Sequence, residues 1–138
     1  MSNVSGPAGR NAVDAPASKI MLWTGRVIST LLVSLLLFSG AMKLTKSADV
    51  LAEFDRLGYS DSVILGIGIL EIACALVYAV PRTSVLGAIL LTGYLGGATA
   101  SHVRIGDQFF GPVLLGVLVW LGLYLRDPRL RALIPLRR

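Results

Sequence analysis

The stretch LGIGILEIACALVYAVPR, residues 65–82, decides the fold. It is apolar almost throughout, it ends at Pro81-Arg82, and it carries one acidic residue, Glu71, in its middle. Only helices and closed barrels satisfy their backbone hydrogen bonds in lipid, and the stretch lacks the period-2 alternation of barrel strands. It therefore predicts a membrane-spanning helix. A charged residue at the centre of such a helix costs about 2.5–3.5 kcal/mol on insertion scales, which makes Glu71 a candidate functional residue.

The composition of the whole chain indicates a membrane protein. Of its 138 residues 54% are hydrophobic and 15% are charged, with a mean hydropathy of +0.73, whereas soluble domains carry about 25% charged residues. The formal charge is +5, and the basic residues cluster at the termini beside apolar runs. This arrangement indicates anionic lipid headgroups as partners, and not nucleic acid. The aromatic residues Trp23, Trp120, Tyr78 and Tyr124 suit the belts at the two membrane interfaces.

Four apolar runs are long enough to predict four membrane spans. They are Val27–Met42 extended upstream by Ile20–Gly25, Val63–Val80, Thr83–Val103 and Phe109–Leu125. The expected fold is all-α, a transmembrane four-helix bundle over residues 19–126. Residues 1–18 are predicted to be a disordered cytoplasmic N-terminus, and residues 127–138 a basic cytoplasmic tail. The alternative for the first run is a signal-peptide core, because Ser39-Gly40-Ala41 resembles a small-residue cleavage site.

The loop between the first two spans, KSADVLAEFDRLGYS, predicts a short amphipathic helix. Ser47 can cap it, Asp49 suits its first turn, and Gly58 can end it. Its apolar residues fall on one face, which favours a helix lying at the membrane interface; a lid over the bundle is the alternative.

The distribution of Lys and Arg predicts the orientation. Nine lie on the N-terminal side, in the turn after the second span and in the C-terminal tail, and four lie in the other two loops. Cytoplasmic loops carry the excess of such residues, so both termini are expected to face the cytoplasm.

Glu71 is the centre of the predicted site. It lies on the small-residue face of its helix and is expected to point into the bundle. Either it is a protonated structural carboxyl group, or it serves as a proton relay, as a polar anchor for a quinone or lipid headgroup, or as an ion-pair partner. Lys43 and Arg26 approach it from opposite ends of the bundle, and the sequence leaves open which of them pairs with it. His102 and Arg82 complete the set of candidates.

Small residues in the second and third spans predict close helix packing, at Gly68, Gly93, Gly97 and Ser101. No metal site is predicted, because the chain has one histidine and one cysteine, Cys74.

Three stretches, FSGAMKL, LEIACALVYAVPR and LGAILLTGYLGGATASHVRIGD, together with the tail LYLRDPRLRALIP, resemble the DoxX-like membrane proteins in order and spacing. The resemblance implies a small four-helix integral membrane protein of the bacterial cytoplasmic membrane. It also implies that Lys43, Glu71, Arg82 and His102 occupy the polar landmarks of the family. The family name derives from a subunit linked to thiosulfate:quinone oxidoreduction, and relatives are tied to redox-stress complexes or to chaperone roles.

The functional expectation is a non-enzymatic accessory or redox-associated subunit. It would carry no cofactor of its own, but it would hold a quinone, a lipid or a partner helix near Glu71, and it would act with a membrane or redox protein or as a homo-oligomer. One alternative is a membrane oxidoreductase or small-molecule carrier that uses Glu71 as proton acceptor. The other is an assembly factor that offers its third span to a client.

Overall fold

A computed structural model of the chain describes residues 18–134. The predicted disordered N-terminus, apart from Ser18, and the last four residues of the predicted tail lie outside the described residues. The described part contains six helices. They are α1 (Lys19–Thr45), α2 (Ala48–Arg56), α3 (Asp61–Ala79), α4 (Ser84–Arg104), α5 (Phe110–Arg126) and α6 (Pro128–Leu133).

The four long apolar helices form a bundle. Helix α1 packs against α3 and α5, and α4 packs against the same two helices, so the order around the bundle is α1, α3, α4, α5. Helices α1, α3 and α4 have 27, 19 and 21 residues and are apolar enough to cross a membrane, while α5 is a shorter apolar helix of 17 residues. The prediction of an all-α membrane bundle with a short helix between its first two spans is confirmed.

The half of the bundle next to Lys19, here called the terminal end, is tightly packed around Tyr78. This side chain is fully buried, and its hydroxyl group donates to the carbonyl oxygen of Val119 at 2.8 Å. The Ser29 hydroxyl lies 3.1 Å from the Tyr78 hydroxyl and serves as its second partner. Placing Tyr78 in an interfacial belt was therefore wrong, since a helical aromatic residue near a span's end can turn inward when a partner accepts its hydroxyl hydrogen.

The opposite half of the bundle, here called the α2 end, is covered by the amphipathic helix. Helix α2 begins after Ser47 and is followed by Gly58, whose φ of +79° is the left-handed conformation that glycine adopts most easily. Phe54 and Leu57 are buried beneath it. The hydroxyl group of Tyr59 donates to the Ser101 hydroxyl at 2.7 Å and ties the end of this segment to α4. Helix α2 therefore packs on the bundle as a lid.

The basic tail contains a further helix, α6. Pro128 starts it, where the missing N–H is no loss, and the Asp127 carboxylate accepts from the backbone N–H of Arg129 at 2.9 Å. Leu130 is buried, and the Arg131 guanidinium lies 3.4 Å from the sulfur of Met21 on α1. The beginning of the tail thus folds back against the terminal end.

Candidate functional site

Glu71 lies on the inner face of α3 and forms an ion pair with Lys43 of α1. The ammonium Nζ of Lys43 lies 2.6 Å from Oε2 of Glu71. Glu71 is 3% exposed and Lys43 is 16% exposed. The structure thus answers the question that the sequence left open: the partner of Glu71 comes from the α2 end. Arg26 is exposed on α1, with its guanidinium 5.7 Å from the centre of the Trp23 ring.

Two glycines let Lys43 approach Glu71. A Cβ atom added to Gly68 would lie 3.1 Å from the carbonyl oxygen of Gly40 and 2.9 Å from Cβ of Lys43. Helices α1 and α3 therefore cross with their backbones nearly in contact, which brings the lysine stem over the turn that carries Glu71. The Ser39 hydroxyl accepts a second hydrogen bond from Lys43 Nζ at 2.8 Å and fixes the direction of the side chain.

The ion pair is held in a place where an unpaired charge would be costly. Taking either ion out of water costs several kcal/mol, and the attraction of a well-aligned partner is of about the same size. The pair uses Oε2 of Glu71, and the hydrogen bonds to Glu71 and Ser39 use two of the three donors of the Lys43 ammonium group, so one donor remains. A hydrogen-bond donor and an acceptor therefore stand side by side on one wall of the bundle.

This wall belongs to a chamber of about 920 Å³ between the four long helices, with α2 as its roof. Most of the lining is apolar and includes Leu36, Ile67, Leu95 and Leu115. Ligand sites in proteins are commonly 300–1,000 Å³, with apolar walls and a few placed polar groups. The chamber has this character.

Tyr94 and His102 of α4 also line the chamber. The Tyr94 phenol lies beside the Glu71 carboxylate, and Tyr94 was missing from the sequence prediction. Its signal was present, because Tyr94, Ala98, Ser101 and His102 recur at the i, i+4, i+7, i+8 spacing of a single helix face.

The small residues of α4 do not pack as predicted. Gly93 and Gly97 are exposed, and a Cβ atom added to either would meet no atom within 4 Å. Both line the chamber instead. The prediction that they seat a neighbouring helix is therefore wrong within this chain, whereas Gly68 does contact α1. Ser101 is buried and bonds the carbonyl oxygen of Gly97 at 2.9 Å.

A polar network joins α2 to the loop after α4. The Arg56 guanidinium lies 2.7 Å from Oδ2 of Asp107 and 3.0 Å from both carboxylate oxygens of Glu53. Nδ1 of His102 lies 3.3 Å from the same Asp107 oxygen. The Arg104 guanidinium adds a hydrogen bond to the carbonyl oxygen of Leu57. These contacts hold α2 over the chamber.

This network favours the charged forms of Asp107 and Arg56. The backbone N–H of Gln108, together with His102 and Arg56, holds the pKa of Asp107 below its usual value. The carboxylates of Glu53 and Asp107 raise the pKa of Arg56. Ligand atoms of Glu53, His102 and Asp107 lie within 4.8 Å of one another. These three residues could together hold a metal ion. In this structure the Arg56 guanidinium supplies the positive charge next to the two carboxylates.

The remaining predicted candidate, Arg82, is exposed in the turn between α3 and α4. This turn is at the terminal end, and neither Arg82 nor Arg26 lines the chamber. The structure therefore brings together Glu71, Lys43 and His102 of the five predicted residues, and leaves the two arginines apart from them.

Comparison with known proteins places the chain in a family. A family model described as the DoxX-like family matches residues 27–123, which include all four long helices in whole or in part. No curated protein and no solved structure matches the chain significantly. The matched region covers well over half of the 138 residues and contains Lys43, Glu71 and His102. The chain therefore belongs to the DoxX-like family, as a membrane protein built on a helical bundle.

Proposed function

We propose that this protein is a non-enzymatic accessory subunit of a membrane redox system, and that its chamber holds a quinone or a lipid with the polar head at Lys43 and Glu71. The observation that carries the proposal is the ion pair of these residues in the wall of a mostly apolar chamber. Ionisable residues inside membrane bundles are rare and commonly mark ligand or proton pathways.

The chemistry of the pair suits an oxygen-bearing head group. The Lys43 ammonium can donate to a quinone carbonyl or to an ester or phosphate oxygen, and the Glu71 carboxylate can accept from a hydroxyl group. Tyr94, next to Glu71, adds a phenol that can do either. The apolar lining provides for the ring or chain that follows the head.

The accessory role is supported by the cysteine content. The sequence has one cysteine, Cys74, so the chain cannot alternate alone between a dithiol and a disulfide. A redox reaction at the chamber would then draw its electrons from a partner protein. The membrane surface around the bundle would supply anionic headgroups to the basic residues of the terminal end.

The proposed setting is the bacterial cytoplasmic membrane, crossed by all four long helices, with both termini in the cytoplasm. The excess of Lys and Arg at the terminal end supports this orientation. In it, α2 and the chamber lie on the outer side, where a periplasmic or membrane-bound partner can reach them.

Native mass spectrometry of protein extracted from its own membranes tests the proposal. Wild type would be compared with Glu71→Gln and with Asp61→Asn, a control that neutralises an exposed carboxylate at the start of α3. We expect a quinone-sized or lipid-sized adduct in wild type and in the control, and its loss in Glu71→Gln. No small adduct in any of the three, with a stoichiometric protein partner in all, would overturn the proposal.

That overturning result would favour an assembly factor as the second candidate. The exposed face of α4 at Gly93, Gly96 and Gly97 is open, and small residues of this kind let a second membrane helix approach closely. Binding of a client helix, or of a second copy of the chain, to this face should persist in Glu71→Gln and be lost in Gly97→Leu.

A further inference from the structure

The chamber reaches the outer surface of the bundle through a gap between α3 and α4. At the terminal end these helices are nearly in contact, since a Cβ atom added to Gly87 would lie 2.3 Å from Cα and N of Tyr78. Further along, Gly93 and Gly97 of α4 meet nothing within 4 Å. The Tyr78–Gly87 contact is therefore the closed end of the gap, and toward the α2 end the chamber-lining positions Gly93 and Gly97 of α4 are open.

The residues on both edges of the gap belong to two surfaces at once. Leu70 of α3 lines the chamber and is 53% exposed, and on α4 Ile89 and Leu90 line it while being 55% and 42% exposed. Because these residues line the chamber and are also exposed on the outside of the bundle, the chamber and the lipid-facing surface are continuous here. Since the edge residues are apolar and the glycines add no side chain, the gap presents no polar barrier to a hydrocarbon chain.

We propose that the gap between α3 and α4 is a lateral entrance from the bilayer, so that the ligand is a tailed amphiphile whose head reaches Glu71 and whose tail lies across Gly93 and Gly97. The identity of the ligand rests on the proposed function, whereas the entrance itself does not. A glycine at these two positions is then a requirement of the site, because any larger side chain would occupy the path of the tail.

Cys74 offers a direct test, because it is the one cysteine of the sequence and it lines the chamber. The protein would be reconstituted in vesicles of phosphatidylethanolamine and phosphatidylglycerol. A maleimide carrying a dodecyl chain, which stays in the bilayer, would be compared with a sulfonated, water-soluble maleimide, so that the two reagents share one thiol chemistry. Modification of Cys74 would be followed by intact-mass measurement, with protein unfolded in dodecyl sulfate as the measure of full reactivity.

We expect the lipid-anchored maleimide to modify Cys74 in wild type, and the sulfonated reagent to be much slower. Gly93→Leu and Gly97→Leu should slow the labelling of Cys74 by the dodecyl maleimide by about tenfold or more. A leucine side chain packed in the gap would have to be displaced each time the reagent enters. Gly96→Leu is the matched control: this position is also exposed, meets nothing within 4 Å, and does not line the chamber. Its rate should equal that of wild type.

Three results would overturn the entrance. The first is a Cys74 that reacts only after unfolding. The second is equal labelling of wild type, Gly93→Leu and Gly97→Leu, which would place the route elsewhere, for example beside Leu35 and Met42 on α1, which also line the chamber. The third is faster labelling by the sulfonated reagent, which would mean access from water. Circular dichroism and thermal unfolding of each variant would verify the fold.

The two proposals fail separately. Labelling that follows the expected pattern, with no amphiphile in native mass spectrometry, would keep the entrance and remove the proposed occupant. An amphiphile lost in Glu71→Gln, with Cys74 unreactive in the folded protein, would keep the occupant and remove the lateral entrance.

Discussion

Lys43 and Glu71 are 28 positions apart in the sequence, on two different helices, and their charged atoms lie 2.6 Å apart inside the bundle. The contact depends on Gly40 and Gly68, where the backbones of α1 and α3 are nearly in contact. Two charges and two glycines therefore form one unit. The glycines set the helix spacing, and the spacing determines whether the lysine reaches the carboxylate.

The first prediction concerns the stability of this pair. Lys43→Met should lower the free energy of unfolding by about 3 kcal/mol, since removing one partner of a buried pair leaves the other charge uncompensated. Glu71→Leu in the Lys43→Met background should recover most of that loss, because the pair is then replaced by apolar groups. Unfolding in mixed micelles, analysed as a double-mutant cycle, measures the coupling. Additive losses in the double variant would mean that the two charges are not coupled.

The second prediction concerns the pH range over which α2 stays closed. The pKa of Asp107 is lowered in the folded protein, so its contribution to stability is complete above the unfolded value of 3.8 and is lost as pH falls from there toward the lower, folded value. Closure through the Arg56–Asp107 contact should therefore persist at pH 5 and fail only below about pH 4. Hydrogen exchange of α2 amides, corrected for the intrinsic pH dependence, measures this.

Asp107→Asn provides the comparison for this pH series. The amide cannot pair electrostatically with Arg56, so exchange in α2 should be raised in this variant even at neutral pH, while the amides of α3 are unaffected. Opening of wild-type α2 between pH 7 and pH 5 would contradict the assignment, because Asp107 remains ionised throughout that range.

Much of the fold follows from hydropathy alone, whereas the site follows only in part. The four apolar runs and the boundary residues of α2 act locally. Ser47 stands at the position before the helix, although its hydroxyl makes no capping hydrogen bond, and Gly58 follows the end of the helix. The inward direction of Glu71 follows from its small-residue face. The choice of Lys43 over Arg26 does not, because it depends on how closely α1 and α3 cross.

The role of the α4 glycines could not be predicted from the sequence either. A four-residue spacing of small residues predicts that a surface can be approached closely, but it does not say what approaches it. At Gly87 the approaching group is the backbone of Tyr78, and at Gly93 it is open space. The difference arises because the two glycines, six residues apart at about 3.6 residues per turn, lie on different faces of α4, and only the Gly87 face meets α3.

The third prediction separates these two kinds of glycine. Gly87→Ala should destabilise the protein by about 1–3 kcal/mol, the usual cost of overpacking. The added methyl group would lie 2.3 Å from Cα and N of Tyr78, and these backbone atoms cannot move without shifting α3. Gly96→Ala, in open space on the same helix, should be neutral or slightly stabilising. Thermal unfolding of the two variants under identical detergent conditions makes the comparison. An equal change in stability in both variants would contradict this assignment, because the Tyr78 contact exists only at Gly87.

The fourth prediction concerns the hydroxyl group of Tyr78. In Tyr78→Phe the carbonyl oxygen of Val119 loses a donor and the buried Ser29 hydroxyl loses its acceptor. Hydrogen bonds between membrane helices average about 0.6 kcal/mol and reach about 1.7 kcal/mol, so we expect a loss of unfolding free energy within that range. Tyr78→Phe combined with Ser29→Ala should lose less than the two single variants together, because no hydroxyl is then left unpaired. Since Tyr78 lies outside the chamber lining, labelling of Cys74 should keep its wild-type rate in these variants. A changed rate would mean that the packed terminal end and the chamber are coupled through α3.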